Sequence, residues 1–421
     1  MLLEKVQLFD SKKDFFLFFL ACLFVLSYAL LIEFNNYKNL TRFDSSLIDA
    51  KIVKQYSKTN KTKTYQILRL KTNDNLNIYT SVKSSFLLSI GKDINLEIWA
   101  GKISFYEYMT SFYTYSKIIE VSQTLSYKQE LNNYIDTQHK DKNSASIYKA
   151  LYTATSLPKE LQGTFSALGV SHLLAISGFH LGVLASVLYL LFKLPYKYLQ
   201  NRYFPYRSYK LDSFIFISIT LFGYLIFLDS PPSLLRAYVM MLIGFYLYDR
   251  GYELLTMQTL LLTLMILLSF FPRLFFALGF WLSIMGVFYI FLFMMYFKYL
   301  SKIWQFILIP IWVYLMMLPY SLVIFSSFSI YHPLSIVWTS LFTLFYPMSI
   351  LMHFIGYGDI FDSSLKTLIL LANTHSNVYF DYTWLIVFSL LSLLSIKYYN
   401  IIWILLTISI SMTIHSIYQV T

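Results

Sequence analysis

Long apolar runs alternate with short polar breaks along this chain, except in one stretch of soluble character near its start. Residues 15–32 form an uninterrupted apolar run behind Lys5, Lys12 and Lys13, and no small-residue cleavage pattern comes after it at Glu33-Phe34-Asn35-Asn36. That pattern predicts an uncleaved signal anchor with a cytoplasmic N-terminus, and export of the segment behind it. Residues 37–162 are rich in Lys, Asn, Ser, Thr and Tyr. Within them 47–56, 64–71, 76–82, 94–100 and 103–106 read as short strands. Roughly five short strands suit a small barrel of the OB type, although strand number alone does not separate it from other small β-folds. From 108 onward the strand pattern fades, and 144–155 and 157–168 read as helices, the second started by Pro158.

Apolar runs recur at 171–192, 211–228, 234–248, 254–271, 274–297, 303–325, 334–355, 384–396 and 401–414. Most approach the ~20 residues that a spanning helix needs. Pro310 and Pro319 interrupt the run 303–325, which predicts a kink or two short segments there. A short amphipathic helix is expected at 364–373. The loop 193–210, with Lys197, Arg202 and Arg207, reads as cytoplasmic, and Asp229-Ser230-Pro231-Pro232 as a tight external turn. Lys397 sets the positive-inside tendency against simple alternation, so the C-terminal orientation stays open. The expected fold class is a polytopic α-helical membrane protein with an exported small β-barrel (OB-like) domain after the first transmembrane helix. Its expected parts are the anchor 1–36, the OB-like domain 37–107, a helical connector 108–170, a transmembrane core 171–355, and an amphipathic segment with C-terminal helices 356–421.

Composition agrees with the pattern. The 421 residues are 57% hydrophobic and only 13% charged, against about 25% charged in ordinary soluble domains. A soluble globular protein is excluded. The net charge of +11 reflects basic loops and would also attract an anionic substrate or lipid headgroups; by itself it does not select nucleic acid. Cys22 is the one cysteine, so neither an intrachain disulfide nor a cysteine metal site can form. The seven histidines show no H-x-H or H-E-x-x-H spacing and no acidic cluster accompanies them. We expect no metal, no cofactor and no enzymatic centre. Gly91-Lys92 and Gly101-Lys102 only superficially suggest a phosphate-binding loop. Inward movement of a polyanion against about 2.3 kcal/mol per charge per 100 mV would then need a separate motor or trapping on the far side.

The run 171–192 carries His172, Ser177, Gly178, His180 and Gly182 in its apolar sequence. If it is one helix, Ser171, Ala175, Gly178, Gly182 and Ala185 make a small-residue seam, with His172 and His180 about 80° apart elsewhere on its surface. The seam suits packing within one chain or a homo-oligomer. Alternatively Ser177-Gly178 unwinds, as broken helices do where they line a cavity. The ordinary role of a membrane histidine is a hydrogen bond between helices. Arg236 lies in the apolar run 234–248, where an arginine costs about 2.5–3.5 kcal/mol at the bilayer centre. An ion pair with Asp229, snorkelling to the headgroups, or a phosphate contact at a channel mouth would each account for it.

The string His172-Leu173-Leu174-Ala175-Ile176-Ser177-Gly178-Phe179-His180-Leu181-Gly182 resembles the signature of the ComEC family of competence proteins, inner-membrane channels for DNA uptake. Ser230-Pro231-Pro232-Ser233-Leu234-Leu235-Arg236-Ala237 is similar to the family's S-x-P-x-x-R-A segment, with one residue more before the arginine. Gly279-Phe280-Trp281-Leu282-Ser283 resembles a third segment, with Trp281 where the family usually has Gln. The resemblance implies a translocation path, or its packing, at His172, Ser177, Gly178, His180, Gly182, Asp229 and Arg236. It also implies the OB-like domain, with Gly91-Lys92-Asp93-Ile94 as its turn. OB barrels stack single strands on aromatics beside basic residues. Tyr56, Tyr65, Arg69, Lys71, Tyr79, Lys83 and Trp99 are the candidates, against ordinary core and surface roles for the same residues. Implied partners are single-stranded DNA, a periplasmic DNA-receptor protein, a cytoplasmic helicase-like ATPase and the lipid bilayer. Many members carry a C-terminal metallo-β-lactamase-like domain, and the residues after 414 are too few for one, so a short form is expected. The expected function is an inner-membrane channel importing single-stranded DNA during natural transformation. Composition equally allows a transporter or lipid-handling membrane protein with a scaffolding external domain.

Overall fold

The computed structural model describes residues 9, 11–60, 63–83, 90–122, 126–372 and 375–420. The chain divides into two compact units, one of residues 11–134 with 265–277, the other mainly of 135–264 and 278–421.

In the first of these, α1 (Lys12–Leu40) starts at Ser11, whose side chain accepts the Asp14 amide proton. Its 29 residues extend about 43 Å at 1.5 Å per residue, more than the ~30 Å of a bilayer core. The surplus is used. Tyr37 and Leu40 pack on the core of a β-sheet, and the Tyr37 hydroxyl donates to the Ile103 carbonyl at 2.8 Å. That sheet comprises β1 (Ser46–Asn60), β2 (Lys63–Thr72), β3 (Asn77–Lys83) and β4 (Asp93–Ile98), then, after α2 (Phe105–Met109), β5 (Phe112–Tyr113) and β6 (Ser116–Val121). Its order is β5-β3-β2-β1-β4-β6. The β3–β5 pair is parallel and the others are antiparallel. Alternation puts Leu68, Leu70, Ile78, Ile94, Leu96 and Ile98 on the buried side, where Tyr108, Met109 and Phe112 join them.

Two expectations fail in this unit. Residues 103–106 were expected as a strand, but they lead into α2. Ser104 accepts the Glu107 amide proton through Oγ, and its own amide donates to Glu107 Oε2 at 2.8 Å. This capping box satisfies two otherwise open donors and outweighs a four-residue apolar alternation. Conversely, β6 lies where the strand pattern fades, because Ile119 is exposed beside half-buried Ile118 and the sequence shows no clean period of two.

Arg273, in a 3-10 turn at Pro272–Phe276, gathers this unit. Its Nη2 donates to Glu33 Oε2 of α1 at 2.6 Å, and Nη1 to the Asp74 carbonyl at 2.9 Å. The guanidinium also lies 5.0 Å from the Tyr108 ring. Burial pushes the Tyr108 phenol up to about 12, so it stays neutral beneath the cation.

The remaining helices are α3 (Tyr127–Gln138), α4 (Lys142–Thr153), α5 (Lys159–Ala167), α6 (Ser171–Leu174), α7 (Gly178–Tyr203), α8 (Tyr209–Phe227), α9 (Pro232–Asp249) and α10 (Met257–Phe270). They continue with α11 (Leu278–Phe297), α12 (Lys302–Phe325), α13 (Ser335–Phe354), α14 (Asp362–Leu371), α15 (Thr383–Leu394) and α16 (Ile401–Val420). A short antiparallel pair, β7 (Ser327–Ser329) with β8 (His375–Asn377), lies among the later helices. Among the described residues seven helices are long and apolar enough to cross a membrane: α1, α7, α8, α11, α12, α13 with its preceding turn, and α16. The chain is a multi-pass membrane protein. Residues 257–270 and 383–394 are apolar but shorter.

Despite Pro310 and Pro319, α12 is a single helix of 24 residues. A proline removes the bond to the carbonyl four residues earlier, which for Pro319 is that of Leu315. The Ser409 hydroxyl of α16 donates to that carbonyl. A neighbouring serine thus restores what the proline takes away. On the basic loop, Arg207 grips Asp212 with two hydrogen bonds of 2.7 and 2.9 Å, and the Tyr196 hydroxyl donates to the same carboxylate.

Arg273→Ala should remove two charge-assisted bonds and lower stability by about 1–3 kcal/mol. Thermal melts of the purified chain would read this, with Glu33→Gln giving a smaller loss of the same sign.

Candidate functional site

The stretch expected as one helix over 171–192 is broken. Residues of α6 form a single turn, Ala175 is extended (φ −77°, ψ 118°), and Ser177 (φ −134°, ψ 176°) caps a fresh helix at Gly178. The small-residue seam therefore does not exist as one helix face. Of the two arrangements open to the sequence, the unwound one is present, with its break at 175–177. His180 explains part of the restart. Its Nδ1 faces the Ser177 amide at 3.3 Å and the Ser177 hydroxyl at 3.2 Å. The ring fills the place of a capping-box glutamate and takes up an amide proton that α7 cannot satisfy internally. His180 is fully buried, edge-on to Phe342 and Tyr346 of α13.

Breaking a helix leaves open carbonyls, and the next segment supplies donors. Ser233, in the first turn of α9, donates through Oγ to the Ile176 carbonyl at 2.6 Å. One turn further along α9, Ala237 approaches Gly178 so closely that a Cβ added there would lie 3.1 Å from that of Ala237. Only glycine fits without displacement. Gly182 has no such neighbour, since the space beside it is open.

Arg236 lies between these two contacts in sequence. It is 2% exposed, and its Nη1 donates to the carbonyls of Gly279 and Phe280 at the start of α11, each at 3.2 Å. The Phe280 ring lies 5.8 Å from the guanidinium carbon. Among the described residues no carboxylate is within ion-pair distance of Arg236, so the Asp229 tie does not form. Nor does Arg236 snorkel. Asp229 instead builds the turn between α8 and α9, where it and Ser230 adopt left-handed backbone angles (φ 60° and 49°).

The three short sequence motifs, far apart in the chain, thus meet around the beginning of α9: the first through Ile176 and Gly178, the third through Gly279 and Phe280. A family model described as Competence protein matches residues 153–420. The chain belongs to that family. No curated protein and no solved structure matches it significantly.

In this competence protein the matched region contains all of the motif residues, and the sheet precedes it. His172 sits on α6, keeps exposed surface, and approaches Thr339 of α13 with Nε2 3.3 Å from the hydroxyl. Of the candidate path residues, Gly178 and Arg236 take part in the convergence, and Ser177 caps α7 beside them. His180 and His172 face α13, Asp229 forms the turn, and Gly182 joins nothing. Ser233 and Ala237 were overlooked although both lie inside the second motif; their roles depend on a helix break that periodicity does not reveal. Phe342 and Tyr346 carry no signal, being ordinary aromatics in an apolar run.

On the sheet, one face of β2 and β3 presents Tyr65, Arg69, Lys71 and Tyr79, opposite the buried Leu68, Leu70 and Ile78. Arg69 pairs in register with Tyr79, lies 5.9 Å from its ring, and donates to Asn77 at 3.3 Å. Tyr56 faces Ile67 across β1–β2. Trp99 is exposed just after β4. Lys83 ends β3, and its side chain lies outside the described residues. Two exposed tyrosines extend this face: Tyr113, beside Tyr79 in register and bonded to Ser81 at 2.7 Å, and Tyr115, edge-on to Tyr113. Both were missed because no strand was expected after 108.

Gly178→Val should force α7 from α9 and lower thermal stability by about 1–3 kcal/mol, whereas Gly182→Ala should stay within about 0.5 kcal/mol of the parent.

Proposed function

We propose that this competence protein is the inner-membrane channel through which single-stranded DNA enters the cytoplasm during natural transformation. The observation that carries the reading is Arg236. A buried cation without a carboxylate is costly, and two neutral carbonyls at 3.2 Å only partly offset its desolvation. A phosphate oxygen would complete it, because the guanidinium offers a fixed fork of donors and keeps its charge. The closed arrangement around Arg236 is then a resting state, in which carbonyls occupy the place of the substrate. The broken helix beside it supports the same reading, since irregular backbone at membrane depth is tolerated where it is buried in protein or lines a cavity.

The sheet is read as an OB-like barrel. β5 and β6 stand at opposite ends of the strand order yet are separated in sequence only by Thr114 and Tyr115. The Thr80 and Ser116 hydroxyls, 2.7 Å apart, bridge β3 to β6. Taken as one bent strand, β5 and β6 join the two ends, which is the closure an OB barrel uses. Its tyrosine-rich face with Arg69 and Lys71 would stack bases of an incoming strand and contact its phosphates. In this scheme the N-terminus is cytoplasmic and the sheet lies outside, near a periplasmic DNA-receptor protein. A cytoplasmic helicase-like ATPase supplies the work.

Arg236→Ala, at parental protein level, should lower transformation frequency by about ten- to a hundredfold, the loss of one charge-assisted hydrogen bond at about 1.5–3 kcal/mol. Arg236→Lys should retain part of it. Parental frequency in Arg236→Ala would remove this residue from the path. Replacing Arg69 and Lys71 with Ala in the full chain should weaken single-strand binding and reduce the slope of log affinity against log salt by about 0.7 for each phosphate no longer neutralised. An unchanged slope would favour a protein partner at this face.

A further inference from the structure

Away from the three motifs, the turn between α3 and α4 meets the end of α13 and the start of α14 in a chain of buried polar groups. His139 and His353 are 8% and 6% exposed, with their Nε2 atoms 2.9 Å apart. His139 Nδ1 is 3.0 Å from both oxygens of Asp362. His353 Nδ1 is 2.7 Å from the Ser349 carbonyl and 3.3 Å from the Tyr152 hydroxyl. Tyr148 stacks on His139 at 4.6 Å and lies 4.5 Å from His353.

The protons in this chain can be counted. A carbonyl oxygen only accepts, so His353 Nδ1 carries a proton. Another proton must lie between His139 Nδ1 and the Asp362 carboxyl, on the ring when the carboxyl is ionised. Two imidazole nitrogens at 2.9 Å make a hydrogen bond only if one proton lies between them; two lone pairs at that distance repel. Three protons are therefore needed where two neutral imidazoles supply two. We infer that His139, His353 and Asp362 form a buried proton-binding site, which holds one proton on the imidazole pair opposite an ionised Asp362.

The surroundings fit a single shared charge. Burial pushes the Tyr148 and Tyr152 phenols well above their ordinary values, so neither supplies an anion. Charged groups in the surroundings include Asp359 in the turn before α14, Lys140 next to His139, Asp141 at the start of α4, and Lys366 of α14, which acts on Asp141. Asp362 keeps 14% of its side chain exposed and gives the proton a way in. The site is also mechanically tied. Gln138 donates to the His353 carbonyl at 3.0 Å and accepts the Gly358 amide proton at 2.9 Å. Gly358 leaves no room for a Cβ against Gln138 and His353. Loss of the proton would set two lone pairs against each other beneath this turn, so occupancy of the site and closure of the α13–α14 turn on residue 138 are coupled.

The test is nitrogen-15 NMR of the full chain, labelled at histidine, in lipid nanodiscs at about pH 7.5. Free imidazole is largely neutral there, with its pKa near ~6.5. One doubly protonated imidazole signal is expected in the parent, lost in His139→Gln, in His353→Gln and in Asp362→Asn, while His415→Gln leaves it in place. Neutral histidines only in the parent at that pH would overturn the proposal, as would a charged signal that survives His353→Gln. The parent spectrum decides even if a variant fails to fold.

Discussion

The buried guanidinium of Arg236 is the constraint around which the competence region closes. It reaches from α9 to the first carbonyls of α11, with no carboxylate to balance it among the described residues. The helix that carries it also holds the neighbouring break: Ser233 satisfies the Ile176 carbonyl, and Ala237 fits against Gly178. Cation, break and close approach occupy successive positions on a single helical turn. The side chains of residues 233, 236 and 237, at i, i+3 and i+4, share one face of α9.

The two histidine environments show the same solvent problem solved differently. His180 accepts the Ser177 amide proton at a helix start, a local role set by a spacing of three residues. His139 and His353 are 214 residues apart and are balanced by a carboxylate. Arg236 is left unbalanced by comparison. The contrast is one of partners: a carboxylate stands beside His139, whereas two neutral carbonyls receive Arg236.

Much of the plan was legible in the sequence. Apolar runs marked α1, α7, α8, α11, α12, α13 and α16, because lipid demands long apolar helices and leaves few alternatives. A charge inside an apolar run and the family resemblance pointed to Arg236, and the small-residue pattern and the same resemblance to Gly178. What stayed hidden depended on partners distant in sequence. The sequence left open whether the helix breaks near Ser177, and the contacts of Ser233 and Ala237 that accompany the break at 175–177 were hidden, as was the Ser409 bond beside Pro319 in α12. The His139–His353 pair could not be found by spacing at all, since each histidine alone resembles an ordinary buried one. Local rules misled at Ser104, where a cap displaced the expected strand, and at β6, where burial shows no clean period of two.

The account is tested most directly by following labelled DNA in cells that lack this protein, scoring separately the DNA that arrives outside the inner membrane and the DNA that enters the cytoplasm. It predicts that DNA accumulates outside and that none reaches the cytoplasm until the protein is restored. Normal cytoplasmic arrival without the protein would contradict it.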